Sequence, residues 1–156
     1  MRVCLCFAAA LFLVFPALAT GQENPDPIEA PSSKPPSRTE EGITLELNKL
    51  LPTENACLAY FVVSNHRSEP LQELETDVYL FDKQDIAMRG VILRFADVGP
   101  GRTIVFPFEL TELRCDDIAR LIINRVLVCN SANGAPIEGC ADDLSVNTRA
   151  EAVFEY

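Results

Sequence analysis

The sequence predicts an all-β protein, an immunoglobulin-like or fibronectin-III-like antiparallel sandwich of about seven strands with one short helical turn. Apolar residues recur with a period of two rather than 3.6, as in half-buried strands. Turn-forming residues interrupt these runs every 8–12 residues or so, which is the spacing of a sandwich. The strand-rich part, residues 42–156, is long enough for one core of this kind. The chain lacks tryptophan, so this core differs from that of antibody domains.

The chain begins with the pattern of an export signal. Arg2 precedes an uncharged apolar run from Val3 to Phe15, and Pro16-Ala17-Leu18-Ala19 follows it. This order predicts a Sec-type signal peptide over residues 1–19. A membrane anchor is the alternative, but the apolar run stops short of the ~20 residues that a spanning helix needs. We therefore expect no membrane insertion once the signal is cleaved.

The composition changes abruptly after the signal. Residues 20–41 contain five prolines among serine and acidic residues, and Ile28 is their one sizeable apolar side chain. Such a segment buries too little surface to offset its ordering entropy. We expect a disordered proline-rich linker over residues 20–41, followed by a β-sandwich domain over residues 42–156.

The first half of the domain contains three strand patterns. Ile43, Leu45 and Leu47 alternate with polar residues, which predicts a strand with one solvated face. Residues 57–63 are apolar on both faces, as in an interior strand. Residues 74–81 alternate again and end in a polar turn over residues 82–85, which predicts a hairpin.

The next strand pair carries two irregularities. Apolar residues change parity between Met88 and Val91, and Gly90 at the change predicts a β-bulge. A Gly-Pro-Gly turn over residues 99–101 leads into a strand whose even-numbered residues 104–110 face inward. Because Pro107 cannot donate to a sheet ladder, we expect this strand at an edge or with a bulge there.

The last third continues the strand pattern after one helical turn. Residues 115–120 carry two aspartates near their start, where carboxylates complement unpaired amides, and predict that turn. Residues 121–129 form another buried strand pattern. Residues 130–143 are expected to be a loop, and the alternation over residues 144–156 predicts one closing strand.

Four cysteines remain after the signal, which removes Cys4 and Cys6. An even number in an exported chain predicts disulfides, and four cysteines allow three pairings. We favour one bridge that closes a short loop and one that joins distant strands. The favoured pairs are Cys129 with Cys140 and Cys57 with Cys115. A zinc site is disfavoured because the chain has no C-x-x-C pair and a single histidine, so we expect no metal and no cofactor.

The charge balance argues against nucleic acid and anionic lipid as partners. The chain has 23 acidic and 13 basic residues and a net charge of −10, whereas a phosphate backbone is bound by clustered cations. An enzyme is also disfavoured. His66 is the one candidate histidine base and lies in a polar run typical of a solvated turn. The adjacent acids Asp116-Asp117 and Asp142-Asp143 lie in connecting segments, and neither pair has an EF-hand pattern.

The remaining functional prediction is a non-catalytic protein-binding or structural module of the cell envelope, periplasmic or secreted. Tyr79 and Phe81 form the candidate binding surface, because alternation places them opposite the inward face of their strand. The alternative is that neighbouring elements cover both faces of this strand. The partner would be an envelope protein, engaged through loops or a strand edge. A carbohydrate or small-ligand binding protein is the alternative, and a hydrolase is less favoured.

Two resemblances agree with this interpretation. Val78-Tyr79-Leu80-Phe81-Asp82, with Pro100-Gly101 leading to Phe106, resembles FxLYD-type immunoglobulin-like domains over residues 58–110. The chain also resembles uncharacterised exported alphaproteobacterial proteins, many of which are labelled as carrying twin-arginine signals, although its signal holds the single Arg2. That resemblance implies export and four linked cysteines, and it implies no activity. The shared positions are Cys57, Asn65, Leu80-Phe81-Asp82, Cys115, Ile118, Arg120-Leu121, Cys129, Cys140 and Thr148-Arg149.

Overall fold

The computed structural model of the chain describes residues 41–156. The predicted signal peptide, residues 1–19, and the predicted linker, apart from Glu41, lie outside the described residues. Within them the chain forms eight strands and one 3-10 turn. These elements are β1 (Ile43–Pro52), β2 (Ala56–Asn65), β3 (Leu71–Phe81), β4 (Ala87–Val98), β5 (Thr103–Thr111), η1 (Cys115–Asp117), β6 (Arg120–Ser131), β7 (Leu144–Thr148) and β8 (Val153–Glu155).

The strands form two four-stranded sheets that enclose one apolar core. Sheet 1 has the order β5-β2-β1-β7 and sheet 2 the order β4-β3-β6-β8. Alternate residues along β1, β2 and β3 are fully buried between the sheets, as their period of two predicted. The all-β sandwich is therefore confirmed. Its largest fully buried side chains include Ile43, Leu45, Leu47, Phe61, Val63, Leu71, Leu74, Val78, Leu80, Leu93, Phe95 and Leu121.

The closing segment differs from the single antiparallel strand that the alternation predicted. It forms two strands, β7 parallel to β1 in sheet 1 and β8 parallel to β6 in sheet 2. The Thr148 hydroxyl lies at the crossing, where it accepts a hydrogen bond from the Ala150 amide at 3.1 Å and donates to the Ala152 carbonyl at 3.0 Å. Side-chain parity continues through the crossing, which is why alternation alone did not reveal it.

The bulge in β4 lies two residues before the predicted position at Gly90. The β3–β4 register shifts between the pairs Leu80–Arg89 and Phe81–Ala87, which leaves Met88 as the extra residue. Gly90 has a different role, because a Cβ atom there would lie 3.3 Å from two ring carbons of Tyr79. The glycine allows the tyrosine ring to lie against β4.

Strand β5 lies at the edge of sheet 1, as Pro107 predicted. Its inward residues Phe106 and Phe108 join a core of aromatic rings that cross at steep angles. The ring centroids are 5.3–6.0 Å apart, and the planes meet at 67–84°. Such edge-to-face pairs are favourable beyond their buried area. The cluster comprises Phe61, Phe95, Phe106, Phe108 and Phe154.

Two disulfides link the cysteines in the pairs that the sequence favoured. Cys57 of β2 is bonded to Cys115 of η1, with 4.9 Å between Cα atoms. Cys129 of β6 is bonded to Cys140 in the following loop, with 6.4 Å between Cα atoms. The first bridge fixes the predicted helical turn against one end of sheet 1. Among residues 41–156, no helix has the length and apolar character needed to span a bilayer.

Candidate functional site

Tyr79 and Phe81 lie on the outer face of sheet 2, on the strand between β4 and β6. Their neighbours Val78 and Leu80 are fully buried on the inner face. The Tyr79 side chain is 40% exposed, and Phe81 is half-buried. The alternation thus places both rings where the sequence expected them, on the face turned away from the core.

Cross-strand neighbours extend this surface into an apolar strip. Tyr79 is paired with Ile122 of β6, and Ile92 lies on the same face of β4, 51% exposed. We call Tyr79, Phe81, Ile92 and Ile122 the outer-face strip. A shallow depression of about 360 Å³ runs along it and is lined by Tyr79, Phe81, Ile122 and Asn124.

The charged groups beside the strip are already paired with one another. The Arg120 guanidinium lies 4.8 Å from the centre of the Phe81 ring and forms ion pairs with Asp85 and Glu155. Asp77, which is buried, accepts a hydrogen bond from Asn124 at 2.9 Å and lies 3.3 Å from Arg125. A partner that covered the strip would therefore bury apolar surface without requiring new charge neutralisation.

The candidate catalytic residues lie apart from one another. His66 is exposed just after β2, and its backbone amide donates to the Gly42 carbonyl at 2.8 Å. Asp143 is near that end of the sheet but pairs with Arg67 at 2.6 Å. Asp116 and Asp117 lie at the other end of β2, beside Arg114. Among residues 41–156, no three His, Cys, Asp or Glu side chains are grouped so that they could hold a metal ion.

A second cavity, which the sequence interpretation missed, opens at the end of the sandwich next to η1. This end crevice has a volume of about 670 Å³, and Lys49, Lys83 and Arg149 line it. These residues come from β1, the β3–β4 turn and the β7–β8 connection. They share no local motif, so only the fold brings them together. The sequence offers one hint of this site, which is compositional. Residues 42–156 contain two lysines, Lys49 and Lys83, and both line the crevice.

Arg149 is held at the crevice by Glu46. Its Nε atom donates to the Glu46 carboxylate at 3.0 Å, and the Asn48 side-chain amide donates to the same carboxylate at 2.8 Å. The hydrogen bond from Asn48, and next the hydrogen bond and charge of Arg149, lower the pKa of Glu46 below its ordinary value. Glu46 is therefore charged at neutral pH and orients the guanidinium by a charge-assisted hydrogen bond.

The fold and surface define a disulfide-linked β-sandwich of the immunoglobulin-like kind. Among solved structures, the chain is similar to that of IrmA from Escherichia coli, with a TM-score of 0.52 and 15% sequence identity. The similarity covers 67% of this chain and 90% of IrmA. At this identity it concerns the fold alone. The chain matches no protein-family model and no curated protein sequence.

Proposed function

We propose that this chain is an exported, non-catalytic protein-binding module of the cell envelope, periplasmic or secreted. Both disulfides support a location outside the cytoplasm, because such bonds form and persist in oxidising compartments. The predicted signal peptide supports the same location. The partner is an envelope protein that presents an apolar surface, and the excess of acidic residues disfavours nucleic acid.

The outer-face strip is the observation that carries the proposal. Single exposed apolar residues are common on soluble proteins, whereas a contiguous group on one sheet face marks an interaction surface. Tyr79 supplies a large ring with few rotatable bonds, the type of residue enriched at interfaces. Its ring lies against Gly90, so little conformational freedom is lost when a partner covers it.

Site-specific crosslinking in the periplasm tests this surface. A photoreactive residue at position 79 should give an adduct of defined mass. The same residue at Val105, which is 55% exposed on the outer face of sheet 1, is the matched control. Changing Ile92 to Ser should lower the yield from position 79 without changing the melting temperature. Equal adducts from both positions, or a yield indifferent to Ile92→Ser, would contradict the proposal.

The paired substitution of Tyr79 and Phe81 by Ser separates binding from folding. Because this variant lacks Tyr79, the photoreactive residue is placed at position 92 instead. If the rings serve binding, the variant keeps a cooperative melt and loses the adduct captured from position 92. If the melt is lost instead, both rings are part of the folded core and the strip is not a docking surface. Phe81→Ser alone also removes the ring under Arg120, an interaction worth roughly 0.5–1 kcal/mol at an exposed site.

Export is tested on unreduced protein recovered from the periplasm. Cleavage after Ala19 should give a chain that begins at Thr20 and has no free thiol. A retained leader would contribute the two thiols of Cys4 and Cys6. Four free thiols in the cleaved chain would refute both disulfides.

One observation favours the second candidate function, a carbohydrate or small-ligand binding protein. The end crevice has a volume within the roughly 300–1,000 Å³ range of small-ligand sites. A hydrolase has less support, because His66 and the acidic pair at Asp116-Asp117 lie at opposite ends of β2.

A further inference from the structure

The end crevice combines cationic side chains with an apolar floor. Lys49, Lys83 and Arg149 line it together with Ile118 and Ala152, both of which are buried. Mixed lining of this kind suits a ligand with one charged group and an apolar body, because each part meets a matching surface.

The charges of this crevice contrast with the rest of the domain. Residues 42–156 contain ten basic and 18 acidic residues, a net charge of −8. The crevice is lined by three cationic side chains and two carboxylates, Asp116 and Glu151, and one of the cations, Arg149, is paired with Glu46. Within residues 41–156 neither Lys49 nor Lys83 forms an ion pair, whereas six of the eight arginines there do. Two of the four basic side chains without an ion pair in this part of the chain, Lys49 and Lys83, therefore line the crevice.

Structural features fix the walls of the crevice before any ligand arrives. The β1–β2 register shifts between Leu47 and Lys49, so a β-bulge sets the direction of the strand at Lys49. The disulfide from Cys57 to Cys115 holds the η1 wall. The Nε atom of Arg149 donates a hydrogen bond to Glu46, and within the described residues the two terminal nitrogens of Arg149 make no hydrogen bond. A rigid, preorganised site loses less entropy on binding.

We propose that the end crevice binds a small organic monocarboxylate with an apolar body. The terminal nitrogens of Arg149 and the ammonium groups of Lys49 and Lys83 hold the carboxylate, and the floor at Ile118 and Ala152 covers the aliphatic or aromatic part. A single carboxylate is repelled less by Asp116 and Glu151 than a multiply charged phosphate would be. This site is independent of the outer-face strip and goes beyond the proposed protein-binding function.

The test is a titration of the disulfide-bonded protein with hexanoate, followed by backbone amide chemical shifts. Hexanol and hexylamine carry the same apolar body without the negative charge and serve as ligand controls. We expect hexanoate to shift the amides of Ile118 and Ala150 and to leave that of Tyr79 unchanged. Binding should weaken as salt rises, since the cations are solvent-accessible.

Two variants of the protein complete the test. Changing Lys49 and Lys83 to Gln should weaken hexanoate binding on the order of tenfold, the combined effect of two exposed charge contacts. Arg102→Gln is the matched control, because Arg102 is exposed at the opposite end of the sandwich, beside Asn65. It should change binding less than about twofold. No saturable binding of hexanoate, equal binding of hexanol, or equal weakening by Arg102→Gln would each overturn the proposal.

Discussion

Asn65 is predicted to be the polar side chain on which the fold most depends. It ends β2 and is 1% exposed. Its amide nitrogen donates to the carbonyls of Glu69 and Val98, each at 2.9 Å, and its oxygen accepts from the Arg67 amide at 3.0 Å. One side chain thereby joins the β2–β3 turn to the end of β4 and links the two sheets.

Replacing Asn65 by Ala removes these three hydrogen bonds, so the two carbonyls and one amide of the backbone lose their side-chain partner. A buried polar group left unsatisfied costs about 1–3 kcal/mol, and some of these partners are reached by water, so we expect a loss of about 2–4 kcal/mol. An unfolding entropy of about 2.1 cal/mol/K per residue over roughly 115 residues converts this loss to a melting temperature lower by about 8–16 °C.

Asn65→Asp distinguishes hydrogen bonding from packing, because Asp has nearly the same shape. It keeps the acceptor for the Arg67 amide but turns the donor into an oxygen that faces two carbonyl oxygens. We expect it to destabilise at least as much as Ala in urea and thermal unfolding at neutral pH. Asn147→Ala, at an exposed position of β7, is the control and should cost less than about 0.5 kcal/mol. If Asn65→Asp unfolds at the wild-type midpoint, the reasoning is refuted.

Three further perturbations follow from the contacts described. Changing Cys57 and Cys115 to Ala removes a bridge that spans 58 residues and should lower the free energy of unfolding, measured in urea, by about 4 kcal/mol. Removing the Cys129–Cys140 bridge, which spans 11 residues, should lower it by about 3 kcal/mol. The reverse order would refute the chain-entropy reasoning. Folding lowers the pKa of Glu46. The contribution of Glu46 to the stability of the fold is therefore fully present above the ordinary pKa of a glutamate and is lost as the pH falls through the lowered pKa. Glu46→Gln should therefore destabilise at pH 7 and progressively less below about pH 4, and a constant difference across that range would contradict this role. Gly42→Ala places a Cβ atom 2.3 Å from the Asp143 carbonyl oxygen at φ +150°, so the start of β1 must shift. We expect thermal melts to show a free energy of unfolding lower by about 1–3 kcal/mol. An unchanged melting temperature would show that this junction adjusts without cost.

The local pattern of apolar and polar residues was sufficient to predict most of the strands. The alternation of Ile43, Leu45 and Leu47 defined the inward face of β1, because a strand exposes its two faces in turn. Pro107 indicated an edge strand from the hydrogen-bond donor that proline lacks. Tyr79 and Phe81 were placed on the outer face of their strand by the same periodicity.

Pattern failed where partners across the fold decide the structure. Residues 144–156 keep one parity while the chain passes from sheet 1 to sheet 2, so the crossing at Thr148 leaves no mark on the alternation. Gly90 suggested a bulge because the apolar parity changes there, but its role is to admit the Tyr79 ring, and the extra residue is Met88. The role of Asn65 was also missed, since its acceptors include a carbonyl 33 residues away.

The sequence by itself determined that the chain is a strand-rich domain, that an edge strand contains Pro107, and which rings of β3 face outward. These properties follow from neighbours along the chain and from the period of two. Only the tertiary structure decided the parallel closing strands and the assembly of the end crevice. Lys49, Lys83 and Arg149 are far apart in sequence and lie in β1, the β3–β4 turn and the β7–β8 connection, so the packing of the two sheets brings them to one crevice. Long-range pairing depends on the whole core, so no local pattern encodes it.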